Sequence, residues 1–352
     1  MKPTLPICLA TLLLAAAAVF AETPVTPLAI PIPADNPQTA EKIELGKKLF
    51  FDRRLSGDGT MSCSTCHDPG QGFSDGLPTS LSYPTTKNWR NSPTLFNVGL
   101  QRRLFHDGRA ATLEEQVAGP IASPFEMNQN LQFLEEELRA VPEYRQAFTV
   151  VFGDDNTSLE RIAKAIAAFE RTIVSGEAPA DRLVRGDGSA LSAAARQGYE
   201  VFTGKGGCLS CHPGPAYTDH NFHALGVEEH PEGKDDPRLA ATRRFVAKTA
   251  GLTDFAKLDA DPGRELATGK RDDRGLFRTP TLRELSATAP YMHNGRYETL
   301  AEVVDFFDRG GGPGNTVLQP LGLDAAEKAA LLAFLEEGLR SPQPPFVFPK
   351  IP

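Results

Sequence analysis

Cys63-Ser64-Thr65-Cys66-His67 and Cys208-Leu209-Ser210-Cys211-His212 decide how this chain is read. Both spell C-x-x-C-H, and together they use every cysteine of the chain except Cys8. Two cysteines at this spacing stand about one helical turn apart. Their thiols can add to the two vinyl groups on one edge of a porphyrin, and the histidine that follows is carried beneath the ring to bind iron. The pattern predicts two covalently bound c-type haems, with His67 and His212 as axial ligands. A redox-active cysteine pair is the weaker reading, because it requires no histidine and belongs in a βαβ setting. A zinc site would have to draw four ligands from two distant pairs.

Outward from the motifs, the two halves repeat each other. Gly46 and Phe50 precede the first pair as Gly198 and Phe202 precede the second, and Phe73-Ser74-Asp75 follows the first as Tyr217-Thr218-Asp219 follows the second. Apolar spacing predicts helices over 39–51, 112–118, 132–140, 143–152, 158–174, 189–202, 300–308 and 324–339. The clearest carries Ile162, Ile166 and Phe169 on one face. The Gly-, Ser- and Thr-rich stretch 56–89 reads as loop wrapped around a cofactor. Residues 226–278 read as a long functional loop with a few short elements. Strand signals are sparse. The expected fold is all-α, with two cytochrome c-like domains over 39–180 and 181–352, each wrapped around one haem, meeting near the Gly/Pro/Asp-rich residues 175–188.

Residues 1–21 read as a secretory leader. Lys2 is its basic start, residues 9–20 its apolar run and Ala21 its small cleavage-site residue. A Pro-rich lead-in, 22–38, follows. The apolar run is too short to span a bilayer, which leaves an uncleaved anchor as the weaker alternative. Loss of the leader removes Cys8 and Lys2, so the formal charge of −8 becomes −9. A periplasmic location is expected. The acidic balance argues against a nucleic-acid partner, because phosphate binding needs a basic face, and it permits a small basic electron donor without requiring one.

An electron carrier fills both axial positions of its iron, whereas an enzyme leaves one open. No histidine lies between His67 and His106, and Met61 is the one methionine near the first motif. The first haem is therefore predicted to lack a sixth ligand and to admit a small molecule.

Several blocks, taken with the two attachment motifs, resemble the bacterial dihaem cytochrome c peroxidases and the related methylamine-utilisation dihaem enzyme. They are Arg90-Asn91-Ser92-Pro93-Thr94, Phe105-His106-Asp107-Gly108-Arg109-Ala110, Leu113-Glu114-Glu115-Gln116, Gly119-Pro120, Pro124-Phe125-Glu126-Met127, and Thr279-Pro280-Thr281-Leu282-Arg283 leading to Ala289-Pro290-Tyr291-Met292-His293-Asn294-Gly295. The resemblance covers about residues 45–339. It implies that the N-terminal haem reacts with hydrogen peroxide and the C-terminal haem relays electrons. It places Gln116 and Glu126 on the open side of the first haem, with Pro120 shaping the pocket. A positioned carboxylate can take a proton from one peroxide oxygen and return it to the other, so Glu126 is the acid–base candidate. Gln116 would orient the peroxide. The resemblance further implies a calcium ion held by the Asn91 side chain and the carbonyls of Thr288 and Pro290, a hard oxygen shell suited to that ion. His293 would support the second haem through a propionate, or else serve as a polar core residue. His220, His223 and His230 have no assigned role.

Two positions depart from the family pattern. His106 stands where the family usually places an inter-haem Trp, and the single Trp, Trp89, lies elsewhere with packing as its expected role. Phe307 stands where Met or Tyr commonly ligates the second iron, and Phe cannot. The second haem is then five-coordinate, or is ligated by Met292 or a loop histidine, and loss of a Met ligand lowers its potential.

The expected activity is a peroxidase that reduces hydrogen peroxide with electrons from a small periplasmic cytochrome or cupredoxin, and a homodimer is compatible with it. Two alternatives stand beside it: a peroxide-dependent oxidase of a partner protein, and a dihaem electron carrier without peroxide chemistry.

Overall fold

The computed structural model describes residues 28–83, 86–231 and 235–352. The leader, 1–21, and the first part of the lead-in lie outside the described residues. Among these residues no helix is long and apolar enough to cross a membrane. Helix accounts for 43% and strand for 4%, so the architecture is all-α. The strands β1 (Phe222–His223) and β2 (Phe277–Arg278) pair antiparallel, His223 opposite Phe277.

Twelve helical segments matter for the site. They are α1 (Ala40–Phe51), α2 (Cys63–Cys66), α3 (Leu113–Ala122), α4 (Leu131–Ala140), α5 (Pro142–Phe152), α6 (Leu159–Glu170), α7 (Pro179–Val184), α8 (Ala193–Thr203), α9 (Pro237–Thr249), α10 (Glu265–Thr268), α11 (Leu300–Asp308) and α12 (Ala325–Ala333). Side-chain caps start many of them. Thr39 accepts from the Lys42 amide at 3.2 Å before α1, and Ser192 accepts from the Ala195 amide at 3.1 Å before α8. Each satisfies a backbone donor that the first turn leaves unpaired.

Two hydrophobic cores result. One joins α1, α3–α6 and the loops between them, and the other joins α7, α8, α11 and α12. In each, a glycine permits the central helix crossing. A Cβ on Gly46 would stand 1.8 Å from the Ala165 carbonyl oxygen of α6, and one on Gly198 would stand 2.0 Å from that of Ala330 in α12. Only a bare Cα lets these backbones approach so closely.

The repeat extends beyond the part visible around the cysteines. Phe105-His106-Asp107-Gly108-Arg109 and Met292-His293-Asn294-Gly295-Arg296 form matching loops, each closed by an antiparallel bridge, Leu104 to Ala110 and Tyr291 to Tyr297. Phe105 and Met292 share a left-handed backbone, φ +65° and +74°. The two glycines interlock the halves. Space for a side chain at Gly108 is taken by Phe222 of the C-terminal half, and at Gly295 by Pro78 of the N-terminal half.

The stretch 226–278 holds more structure than its polar sequence predicts. It contains the 13-residue helix α9 and a small apolar cluster of Ala247, Leu252 and Leu258. The low apolar content of Pro-Arg-Leu-Ala-Ala-Thr-Arg-Arg concealed this helix, whose buried residues are Leu239, Thr242, Arg243 and Ala247. The predicted helix over 158–174 ends at Glu170, and the last helix passes into a wide turn, Phe334–Gly338, before Leu339.

Candidate active site

Each cysteine–histidine motif folds as one tight turn. The His67 amide donates to the Cys63 carbonyl at 3.0 Å, and the His212 amide donates to the Cys208 carbonyl at 2.9 Å. The imidazoles are then fixed alike. His67 Nδ1 bonds the Phe73 carbonyl at 3.1 Å, and His212 Nδ1 bonds the Tyr217 carbonyl at 2.8 Å. A carbonyl can only accept, so Nδ1 carries the proton in both rings and Nε2 keeps its lone pair for a metal. Burial lowers both histidines, His67 to about 4, which keeps the rings neutral.

The thiols are unpaired. Burial pushes Cys66 up to about 12, with Asp75 and Glu126 adding to the effect, and burial pushes Cys208 up to about 11. A redox-active cysteine sits in electropositive surroundings that lower its pKa, so these sites do not suit dithiol chemistry. Nor do the four cysteines converge on one metal. Among the described residues the one group of three ligating atoms within 4.8 Å is Cys211, Asp219 and His223.

Both motifs open into one cavity of about 1020 Å³, lined by Cys63, Cys66, His67, Cys208, Cys211 and His212 among others. Ligand pockets usually span roughly 300–1,000 Å³, so this space suits a large group or two. Cys–x–x–Cys–His turns with oriented neutral imidazoles, set in a large apolar cavity, fit a porphyrin at each end.

Gln116 and Glu126 line the same cavity. Pro120 sits inside α3 and lacks the N–H that would bond the Gln116 carbonyl. The chain then doubles back: the Met127 amide donates to the Pro120 carbonyl at 3.1 Å, and the Gln129 amide to that of Ile121 at 2.8 Å. This fold-back carries Glu126 to the cavity wall, close enough to Cys66 for its charge to raise the thiol.

Between the two motifs lies a polar seam. His106 Nε2 donates to the Asn91 carbonyl at 3.0 Å, and the Asn91 amide donates to the His293 carbonyl at 2.8 Å. His293 stacks on Phe277 with ring centres 3.7 Å apart. Burial lowers His106 to about 4 and His293 to about 3, so both are neutral. Asn91 Nδ2 donates to the Leu77 carbonyl at 2.8 Å, leaving Oδ1 as its one side-chain atom able to meet a cation. Thr288 and Pro290 line the cavity with it.

Met292 and Phe307 also line the cavity and pack against the C-terminal core. Trp89 is buried in the wall, with the Arg90 guanidinium 4.9 Å over its ring. The remaining histidines are dispersed. His223 bonds Asp219 at 2.8 Å, His230 lies 3.9 Å from Glu298, and His220 is half-buried.

Two features carried no recognisable signal in the sequence. Arg90 holds Asp107 and Asp261 in a buried three-charge cluster that ties 226–278 to the N-terminal half. Glu170 at the end of α6 lines the cavity, buried, with one carboxyl oxygen unpartnered, and burial pushes it up to about 8. The matching loops around His106 and His293 could have been found by aligning the two halves.

Comparison with known proteins places this geometry. The model of the family described as di-haem cytochrome c peroxidase matches residues 40–189. The chain is 45% identical over 314 residues to the cytochrome-c peroxidase IdrP1 of Denitromonas iodatirespirans, covering 87% of this chain and 84% of that protein. It is 36% identical to the methylamine utilization protein MauG of Methylorubrum extorquens, covering 93% and 86%. Among solved structures, a MauG-like protein associated with microbial copper homeostasis superposes with a TM-score of 0.73 at 31% identity, covering 90% of this chain and 95% of that one.

Proposed function

We propose, from the premise that this chain belongs to the di-haem cytochrome c peroxidase family, that it reduces hydrogen peroxide to water with electrons from a small redox protein. The observation that carries this reading is the presence of Glu126 and Gln116 on the wall of the cavity into which Cys63, Cys66 and His67 open.

Cys63 and Cys66 would hold the first haem and Cys208 and Cys211 the second, each by two thioether bonds, with His67 and His212 beneath the irons. When bound, the haems supply iron centres that store and deliver the two electrons each peroxide consumes. The chain supplies proton handling and position. Glu126 takes a proton from one peroxide oxygen and returns it to the other, the oxygen that leaves as water. Gln116 donates its amide to hold the peroxide in line, and Pro120 keeps the fold-back that sets both groups. His293 would support the second haem through a hydrogen bond to a propionate. Asn91 Oδ1 with the carbonyls of Thr288 and Pro290 would bind calcium where the halves meet, a shell of hard oxygen donors. The leader sequence would deliver the chain to the periplasm, where a cytochrome or cupredoxin donates the electrons. Phe307 offers the second iron no ligand, which leaves Met292 or an open position.

A second reading has one observation in its favour, the 36% identity to MauG. The chain would then use peroxide to oxidise a partner protein. Stopped-flow mixing of the dihaem protein with peroxide, with and without a reduced cytochrome, separates the two. Catalytic oxidation of the cytochrome supports the peroxidase. An oxidised protein that persists with cytochrome and decays only with a protein substrate supports the second reading. Fully six-coordinate haems inert to peroxide would refute both.

A further inference from the structure

We propose that the carboxy-terminal segment, residues 341–352, is a strap that sets the orientation of His67, with Phe346 as the positioning residue acting through Phe73. The inference rests on His67 being the axial ligand of the first haem.

The segment has no regular secondary structure and runs from the C-terminal core onto the N-terminal one. Its root is fixed at Glu284, whose carboxylate accepts from the Ser341 amide at 3.0 Å and from the Ser341 hydroxyl. Its far end is held by Arg54, which donates to the Pro352 oxygen at 2.8 Å. Pro342, Pro344, Pro345, Pro349 and Pro352 restrict the backbone between these points. Most of the segment is exposed, but Phe346 is half-buried in the N-terminal core. Its ring centre lies 5.4 Å from that of Phe51 and 5.7 Å from that of Phe73, and the Lys47 ammonium lies 4.8 Å over it.

Phe73 is the residue that needs holding. Its φ is +56°, a region that non-glycine residues occupy only when the surroundings impose it. Its carbonyl is the acceptor for His67 Nδ1. Two rings grip its side chain edge-on, Phe96 at 5.5 Å and 84° and Phe346 at 5.7 Å and 83°. The matching residue of the other half shows the contrast. Tyr217 has φ +49° and accepts from His212, but its neighbours Phe202 and Arg283 come from its own half of the chain. Among the described residues, the rings of the strap pack on Phe73 and none packs on Tyr217.

A hydrogen bond from Nδ1–H to a fixed carbonyl sets the plane of the imidazole and raises its basicity toward a metal. Removing Phe346 frees one side of Phe73, so the carbonyl drifts and the bond weakens. His67 then becomes a poorer donor to iron, while His212 is unaffected.

The test uses the dihaem protein carrying Phe346→Ala, and a chain ending at Pro345. Resonance Raman reads the iron–histidine stretch of each haem, and redox titration reads each potential. The expected result is a lower stretching frequency and an upward shift in potential at the N-terminal haem alone, with both haems retained. An unmoved N-terminal haem with lowered thermal stability would overturn the proposal, as would equal shifts at both haems. If those variants do not accumulate with two haems, Phe346→Leu is read by the same outcomes. A five-coordinate ferrous N-terminal haem of the wild type with no iron–histidine band would refute the axial role of His67 itself, which is a distinct failure.

Discussion

Arg90 and Asp261 meet as a fork: Nε and Nη2 of the guanidinium donate to the two carboxylate oxygens at 2.6 and 2.8 Å. A third bond, from Nη1 to Asp107 at 2.6 Å, engages the remaining nitrogen of the guanidinium. Burial alone would raise Asp261, but the guanidinium outweighs it and holds the carboxyl well below the usual range. Truncating Asp261 takes two of its three bonds from a buried guanidinium and leaves Asp107 as its one carboxylate partner. Asp261→Ala should therefore cost about 3–5 kcal/mol in denaturant unfolding. A cost under about 1 kcal/mol, the value typical of exposed pairs, would show that the fork opens to solvent.

Asp261 and Glu170 should give pH slopes of opposite sign. Asp261 has a depressed folded pKa, so its contribution is complete above the unfolded carboxylate value and is lost as pH falls below it. Glu170 is raised from 4.5 to about 8, chiefly by burial. Between those values the folded state keeps a proton that the unfolded state releases, so stability falls as pH rises. Glu170→Gln should flatten that decline in melting curves taken from pH 5 to 8. An unchanged slope would remove Glu170 as its source.

Glu126→Gln should leave two haems per chain and slow peroxide cleavage by at least ~100-fold, the lower range for lost acid–base catalysis. Rapid mixing with peroxide reads the rate, and wild-type speed would take Glu126 out of the mechanism.

Phe307→Met would give the second iron a thioether within the same cavity wall. A raised potential at the C-terminal haem and a methionine–iron charge-transfer band are expected, since axial Met raises haem potential. If Met292 already ligates the iron, the substitution will change neither.

Gly46→Ala and Gly198→Ala should each destabilise the core that contains them. The added Cβ would lie 1.8 or 2.0 Å from a backbone oxygen that cannot rotate away. The loss should reach or exceed the upper end of the ~1–3 kcal/mol usual for overpacking. Denaturant titrations with near-native midpoints would mean that the helices separate freely.

The cysteine–histidine turns and the helical character could be read from local spacing, because each depends on residues close in sequence, whereas Glu126 was singled out by the resemblance of its block to the family. Helix α1 begins just after its Thr39 cap, again a local signal. The Arg90 fork was not legible, since its partners Asp107 and Asp261 come from separate loops and no spacing announces them. Helix α9 was hidden because its polar sequence carries little apolar periodicity. Its place is set by tertiary contact, such as the edge-on pairing of Phe125 with Phe245 at 5.4 Å. Phe346 was hidden too: its ring joins a core built from the opposite end of the chain.

The account stands on two porphyrins tethered through cysteine. Mass spectrometry of proteolytic fragments from the purified protein measures this directly. The fragment with Cys63 and Cys66 and the fragment with Cys208 and Cys211 should each be heavier by one haem, and the pyridine haemochrome should report two per chain. Fragments of unmodified mass with free thiols would contradict it.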